Sequence, residues 1–190
     1  MEIIIALAMK FWQWSILIAL ILLGFVINAF DKLKGNNRGF SYKEYPHMQP
    51  IRIKTAGKGF WSAIIMWLLG SRKWVIAKDW TYKLEGKEYV IPKGFEFDGA
   101  SIPKFLHTFL SPTGVLLIGG LVHDYAYKFA HLKPKTKQTP LVMLDQKASD
   151  VIFRDINIQI NGFRFLNYLA YWSLRVGGFV AWRGHRKNDK

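Results

Sequence analysis

From Phe11 to Phe30 the chain runs for twenty residues without a charge, rich in Ile, Leu and Ala. About 20 such residues match the thickness of a bilayer's hydrocarbon core, so the run predicts an N-terminal transmembrane helix. Trp12 and Trp14 suit the interfacial aromatic belt at its start, and Asp31, Lys32 and Lys34 stop it at the other end. Two alternatives accompany this expectation. One is a helix buried in a protein core, and the other is a cleaved signal peptide with Lys10 ahead of the run and Ile27 and Ala29 at a poorly fitting cleavage site. Only Lys10 is basic before the run, whereas Lys32, Lys34, Arg38 and Lys43 follow it. The positive-inside rule then predicts a single-pass protein with its main domain in the cytoplasm and those four cations near anionic lipid.

The chain has 190 residues, room for one domain and an appendage. The expected division is an anchor over 1–30, a basic linker over 31–50 and a single domain over 51–190. Cysteine is absent, which excludes disulfides, thiolate metal sites and cysteine nucleophiles. Lys and Arg outnumber Asp and Glu by 27 to 13, a net charge of +14 that favours anionic partners. An anionic lipid bilayer and a protein partner are the expected ones. Nucleic acid is disfavoured, because a short basic tail, Trp182 to Lys190, is ordinarily solvated or lipid-facing.

Residues 31 to 58 show no periodicity until Ile51-Arg52-Ile53-Lys54, which alternates as a strand does. Phe60 to Leu69 is apolar, too short to span a bilayer and flanked by Lys58, Arg72 and Lys73, so it fits an interface slightly better than a core. Trp74–Ile76, Tyr82–Leu84 and Tyr89–Ile91 read as strands, with Glu85-Gly86-Lys87 as a hairpin turn between the last two. Helical patterns follow over 102–109, 115–131, 144–160 and 163–182. In the third, Met143, Ile152, Phe153 and Ile156 supply the apolar face. The fold class is therefore α+β: a small antiparallel sheet followed by a helical bundle, with an N-terminal transmembrane helix.

The segment 163–182 is long enough to raise the question of a second span. Arg175 would then lie mid-membrane at a cost of about 2.5–3.5 kcal/mol. It reads instead as a core helix in which Arg175 requires a carboxylate, and Asp124 or Asp150 is the expected partner. Gly119-Gly120 and Gly177-Gly178 lie within helical segments and suit close packing rather than phosphate binding.

Chemistry is to be sought in Asp98-Gly99-Ala100-Ser101-Ile102-Pro103, ahead of an apolar helix that carries His123-Asp124 and then Tyr127. Gly99 and Pro103 suggest a strand-to-helix corner there. The stretch Tyr89 to Pro103, His123-Asp124-Tyr125-Ala126-Tyr127, Ala148-Ser149-Asp150-Val151-Ile152-Phe153 and Tyr171 to Gly178 resemble the phage and prophage family called domain of unknown function 1353. The resemblance covers residues 74 to 180. It implies a relative without a settled activity.

Asp98, His123, Asp124 and Asp150 together are residue types able to hold a divalent metal, with metal-bound water as nucleophile. His107 is a further conceivable ligand. A version without metal takes Ser101 as nucleophile, His123 as base and an Asp as orienter, although the DGAS spacing departs from the G-x-S-x-G elbow. The structural alternative has Asp98 bonding turn amides, while Asp124, Asp150 and Arg175 form a buried ion-pair network. No nucleotide cofactor is implied. The expected role is binding or assembly at the membrane by a phage- or prophage-type protein, with a metal-dependent hydrolase tethered there as the alternative.

Overall fold

In the computed structural model of the chain, the described residues are 38–52, 57–69, 73–98 and 114–188, with pieces of the leading apolar run at 12, 18–19, 22–26 and 29. Chain order is β1 (Ser41–Tyr42), β2 (Met48–Pro50), α1 (Phe60–Leu69), β3 (Trp74–Ile76), β4 (Trp80–Leu84), β5 (Lys87–Ile91) and β6 (Glu96–Phe97). Then come α2 (Leu117–Phe129), β7 (His131–Leu132), β8 (Val142–Met143), α3 (Gln146–Asn161) and α4 (Arg164–Asn188). Strand order is β1-β4-β5 in one sheet and β2-β3-β6 in a second, with β7 and β8 forming a two-stranded ladder. Every named strand pair is antiparallel. The class is α+β with small antiparallel sheets and helices, as the periodicities predict.

The β4–β5 hairpin follows from its turn and its alternation. Glu85 and Gly86 both take positive φ, 52° and 76°, which matches the twist of flanking strands in a two-residue turn. On β4, Trp80, Tyr82 and Leu84 point inward while Lys83 points out, and Tyr82 stands opposite Tyr89 of β5. Their rings stack, Trp80 on Tyr82 at 5.2 Å and Tyr82 on Tyr89 at 5.7 Å between centroids. Leu117, Ile118, Leu121, Val122 and Tyr125 of α2 close over this face together with Ile152 and Ile156 of α3. A second cluster, Leu116, Phe153, Ala170 and Leu174, seats α4.

Helix ends are set locally. Asp145 caps α3 by accepting from the Ala148 amide at 2.6 Å, and Gly162 ends it in the left-handed region. Asn161 then accepts from Phe163 N and from Asn167 Nδ2, at 2.9 and 2.7 Å, which builds the corner into α4. Gly119 on α2 is a packing glycine: its amide donates to Asn157 Oδ1 at 3.2 Å, and a Cβ there would collide with the Asn157 amide group.

Several expectations change. The predicted transmembrane helix over 11–30 is overturned: among the described residues no helix is long and apolar enough to cross a membrane. Most of that run lies outside the described residues, and Gly24 within it is buried against the Phe165 ring of α4, a protein contact. An uncharged stretch of adequate length is thus insufficient grounds for a span. The single-pass topology and cytoplasmic orientation derived from it fall too. The stretch taken as a linker contributes β1 and β2 to the sheets. Arg38, expected beside lipid, donates instead to the buried Asp155 at 2.6 Å. The strand expected at 51–54 ends at Pro50, although Ile51 N still bonds Lys73 O at 2.8 Å, and 53–56 lie outside the described residues. So do 99–113, with the helix expected over 102–109. Met143 is exposed rather than part of the α3 face.

Candidate functional site

His123 and Tyr127 are four residues apart on α2 and share the face turned toward α3 and α4. Their rings lie 4.0 Å apart between centroids, and the Phe153 ring stands edge-on to the imidazole at 5.5 Å. Asp150, in the second turn of α3, meets both. His123 Nε2 lies 3.0 Å from Asp150 Oδ1, and the Tyr127 hydroxyl donates to the same oxygen at 2.6 Å. From α4, Arg175 Nη1 donates to Asp150 Oδ2 at 2.7 Å. Of the two carboxylates weighed as partners for Arg175, Asp150 is the one it meets. Gly178, three residues beyond Arg175, leaves the space that the Tyr127 hydroxyl occupies, since a Cβ would fall on it.

Burial makes this arrangement consequential. Asp150 has no exposed surface and His123 has 1%. A carboxylate removed from water is tolerable only when paired and hydrogen-bonded. Asp150 has three such partners drawn from two other helices, so one side chain ties α2, α3 and α4 together. Burial is the largest influence on the imidazole and opposes its charge, but hydrogen bonds to Asp124 and Asp150 and their negative charges outweigh it. The His123 pKa is consequently raised above its ordinary 6.5. Burial and then the bond to Asp150 push the Tyr127 phenol well above its usual value, so it remains a donor. The bond to Asp150 likewise raises the Arg175 guanidinium.

Asp124 faces the other way. Its Oδ1 makes a long 3.4 Å contact with His123 Nδ1, and its side chain is 11% exposed. It lines a cavity of about 280 Å³ bordered also by Lys73, Asp98, Tyr127, Lys128 and His185. Asp98 thus shares a cavity with Asp124 while remaining exposed and outside the buried network.

The structure brings together His123, Asp124 and Asp150 of the expected cluster and leaves Asp98 at the cavity wall. Ser101 and His107 lie outside the described residues. The metal reading is overturned: among the described residues no three His, Asp or Glu side chains are placed to hold an ion. The reason is geometric. Both oxygens of Asp150 already accept from protein donors, one of them the Arg175 guanidinium, and both His123 nitrogens face carboxylates. Tyr127, part of the sequence motif but without an expected role, lies four residues after His123 and so on the same face, where it bonds Asp150. A second cluster, in which Arg38 and Arg154 both pair with the buried Asp155, has no signal in spacing.

The model of a family described as protein of unknown function (DUF1353) matches residues 74–173, more than half of the chain. The match runs from β3 into α4 and stops just short of Arg175. No curated protein and no solved structure matches.

Proposed function

The chain belongs to the DUF1353 family, and for this member we propose a binding or assembly role of the phage or prophage type rather than catalysis. One observation carries the proposal: the centre of the motif, Asp150, is wholly buried and both its oxygens are held by His123, Tyr127 and Arg175 of the same chain. A carboxylate so placed is unavailable to substrate. It joins three helices into a rigid block whose outer faces are left for partners.

A second reading has one specific observation in its favour, the line of contacts from the cavity through Asp124 to His123 and on to Asp150. Such a line could serve general acid–base hydrolysis with Asp124 as the group meeting substrate. Asp124→Asn separates the two readings. Assayed on ester, phosphoester and peptide model substrates, the wild-type chain is expected to show no turnover above buffer. Turnover that disappears in Asp124→Asn at unchanged melting temperature would overturn the binding role.

A further inference from the structure

The outer face of α4 bears an uninterrupted apolar stripe. Leu169, Trp172, Val176, Phe179 and Val180 recur at helical spacing and are exposed, Trp172 at 60% and Val176 at 74%. The inner face is spent on Ala170, Leu174 and Arg175, so the stripe is not the core side of the helix. Throughout its 25 residues α4 has no acidic side chain, whereas Arg164, Arg175, Arg183, Arg186 and Lys187 are basic. Arg175 is committed to Asp150 and Arg186 to the Tyr127 and Lys128 carbonyls, which leaves Arg183 and Lys187 exposed at the end of the stripe.

Two other stretches have the same character. At the start of α4 the Phe165 ring packs on Gly24, whose neighbours Leu22, Phe25 and Val26 are exposed. Helix α1 exposes Phe60 and Trp61, and Lys73 just beyond it lines the same cavity as Ala181 and His185 of α4. A soluble monomer rarely leaves an apolar stripe like that of α4 uncovered.

We infer that α4 lies in the plane of an anionic phospholipid surface, its Trp172–Val176–Phe179 stripe entering the headgroup boundary and Arg183 and Lys187 meeting lipid phosphates. This inference rests on the binding role proposed above and names the partner. The combination of an aromatic and aliphatic stripe with cations and no acids is that of helices lying in an interface, and it requires no spanning segment. Charge selects the occupant: a net charge of +14 opposes close approach of a second copy and favours an anionic surface.

The test uses the full chain in sedimentation with vesicles of phosphatidylcholine alone or mixed with phosphatidylglycerol. Binding is expected to the mixed vesicles, to weaken with salt, and to fall by about tenfold or more in Val176→Glu, where a charge replaces an apolar group that enters the headgroup boundary. Val176→Lys should retain more binding than Val176→Glu. Brominated lipid should quench wild-type tryptophan fluorescence more than that of Trp172→Phe, and both Val176 variants should melt like wild type because their site is exposed. Absence of vesicle binding, or equal binding by wild type and Val176→Glu, would overturn the inference. So would a concentration-dependent dimer abolished by Val176→Glu, which would make the stripe a contact between copies. None of these outcomes alters the turnover assay on Asp124→Asn, so failure here is distinguishable from failure of the binding role.

Discussion

The sheet half and the helical half of this molecule solve the problem of cohesion in different ways. Around the β4–β5 hairpin the interior is aromatic, with Trp80, Tyr82, Tyr89 and Phe95 each at most 5% exposed and no charged side chain among them. Between α2, α3 and α4 the interior contains His123, Asp150, Asn157 and Asn167, each at most 1% exposed. Apolar contact is non-directional and tolerates small displacements, whereas a buried carboxylate is satisfied only by donors at particular places. The sheet half is therefore held by area. The helical half is held by identity and position, and it should be the half that breaks when one atom group is changed.

The sharpest way to break that contrast is at Asp150. Asp150→Ala leaves Arg175 and His123 without their shared anion, and removing one side of a buried pair costs about 3–5 kcal/mol. Arg175→Met should cost less than Arg175→Ala, because the methionine refills the space. In the sheet, Tyr82→Phe keeps the stacked ring and should change little. Thermal melting of these variants decides the matter. An Asp150→Ala protein that melts like wild type, or a Tyr82→Phe protein that melts like Asp150→Ala, would abolish the distinction.

A smaller effect is expected where backbone approach, not charge, sets the fit. Gly119→Ala would drive a methyl into the buried Asn157 amide and disturb the bond from Gly119 N to Asn157 Oδ1. Overpacking of this kind costs about 1–3 kcal/mol. Gly86→Ala in the hairpin is a suitable comparison, since nothing lies within 4 Å of its would-be Cβ and only its φ of 76° resists the substitution. Hydrogen exchange should show Gly119→Ala loosening α2 and α3 while β4 and β5 stay protected.

What the chain discloses in advance follows the same division. The hairpin is readable because alternation and a Glu-Gly turn are local, and the helices because an apolar face repeats over three or more turns. Strands β1 and β2 are not readable, since Ser41-Tyr42 and Met48-Gln49-Pro50 lack the apolar, β-branched run that marks the equally short β3, Trp74-Val75-Ile76. They exist because of distant partners: Tyr42 of β1 stands opposite Tyr82 of β4, and Gln49 of β2 opposite Val75 of β3. The doublet His123-Asp124 is visible as a motif, yet its opposed directions are not: one side chain turns inward to Asp150 and the other to the cavity. Asp98 reads as a member of the cluster because sequence records residue type, not burial. The run over 11–30 illustrates the limit again, because length and absence of charge do not reveal that Gly24 packs against Phe165.

The smallest expected effect is the dependence on pH, because in His123 two influences oppose each other. Burial works against the imidazolium, while hydrogen bonds to Asp124 and Asp150 and their charges work for it, and the net result is a folded pKa above 6.5. The groups around the ring are Asp124 and Tyr127 on α2, Asp150 on α3 and, behind that carboxylate, Arg175 on α4. A raised folded pKa means that the folded state holds the proton more tightly than the unfolded chain. The stabilisation is fully present below 6.5 and is lost as pH rises through the folded value. Wild-type melting temperature should therefore decline across that window on the alkaline side of 6.5. His123→Gln keeps a hydrogen-bonding side chain but cannot titrate, so it should melt lower overall and show a shallower decline. Equal slopes in the two proteins would place the pH response elsewhere and remove His123 from the network's energetics. A shallower slope, with exchange protection lost in α2 to α4 before β4 and β5, would tie the pH response to the helical half.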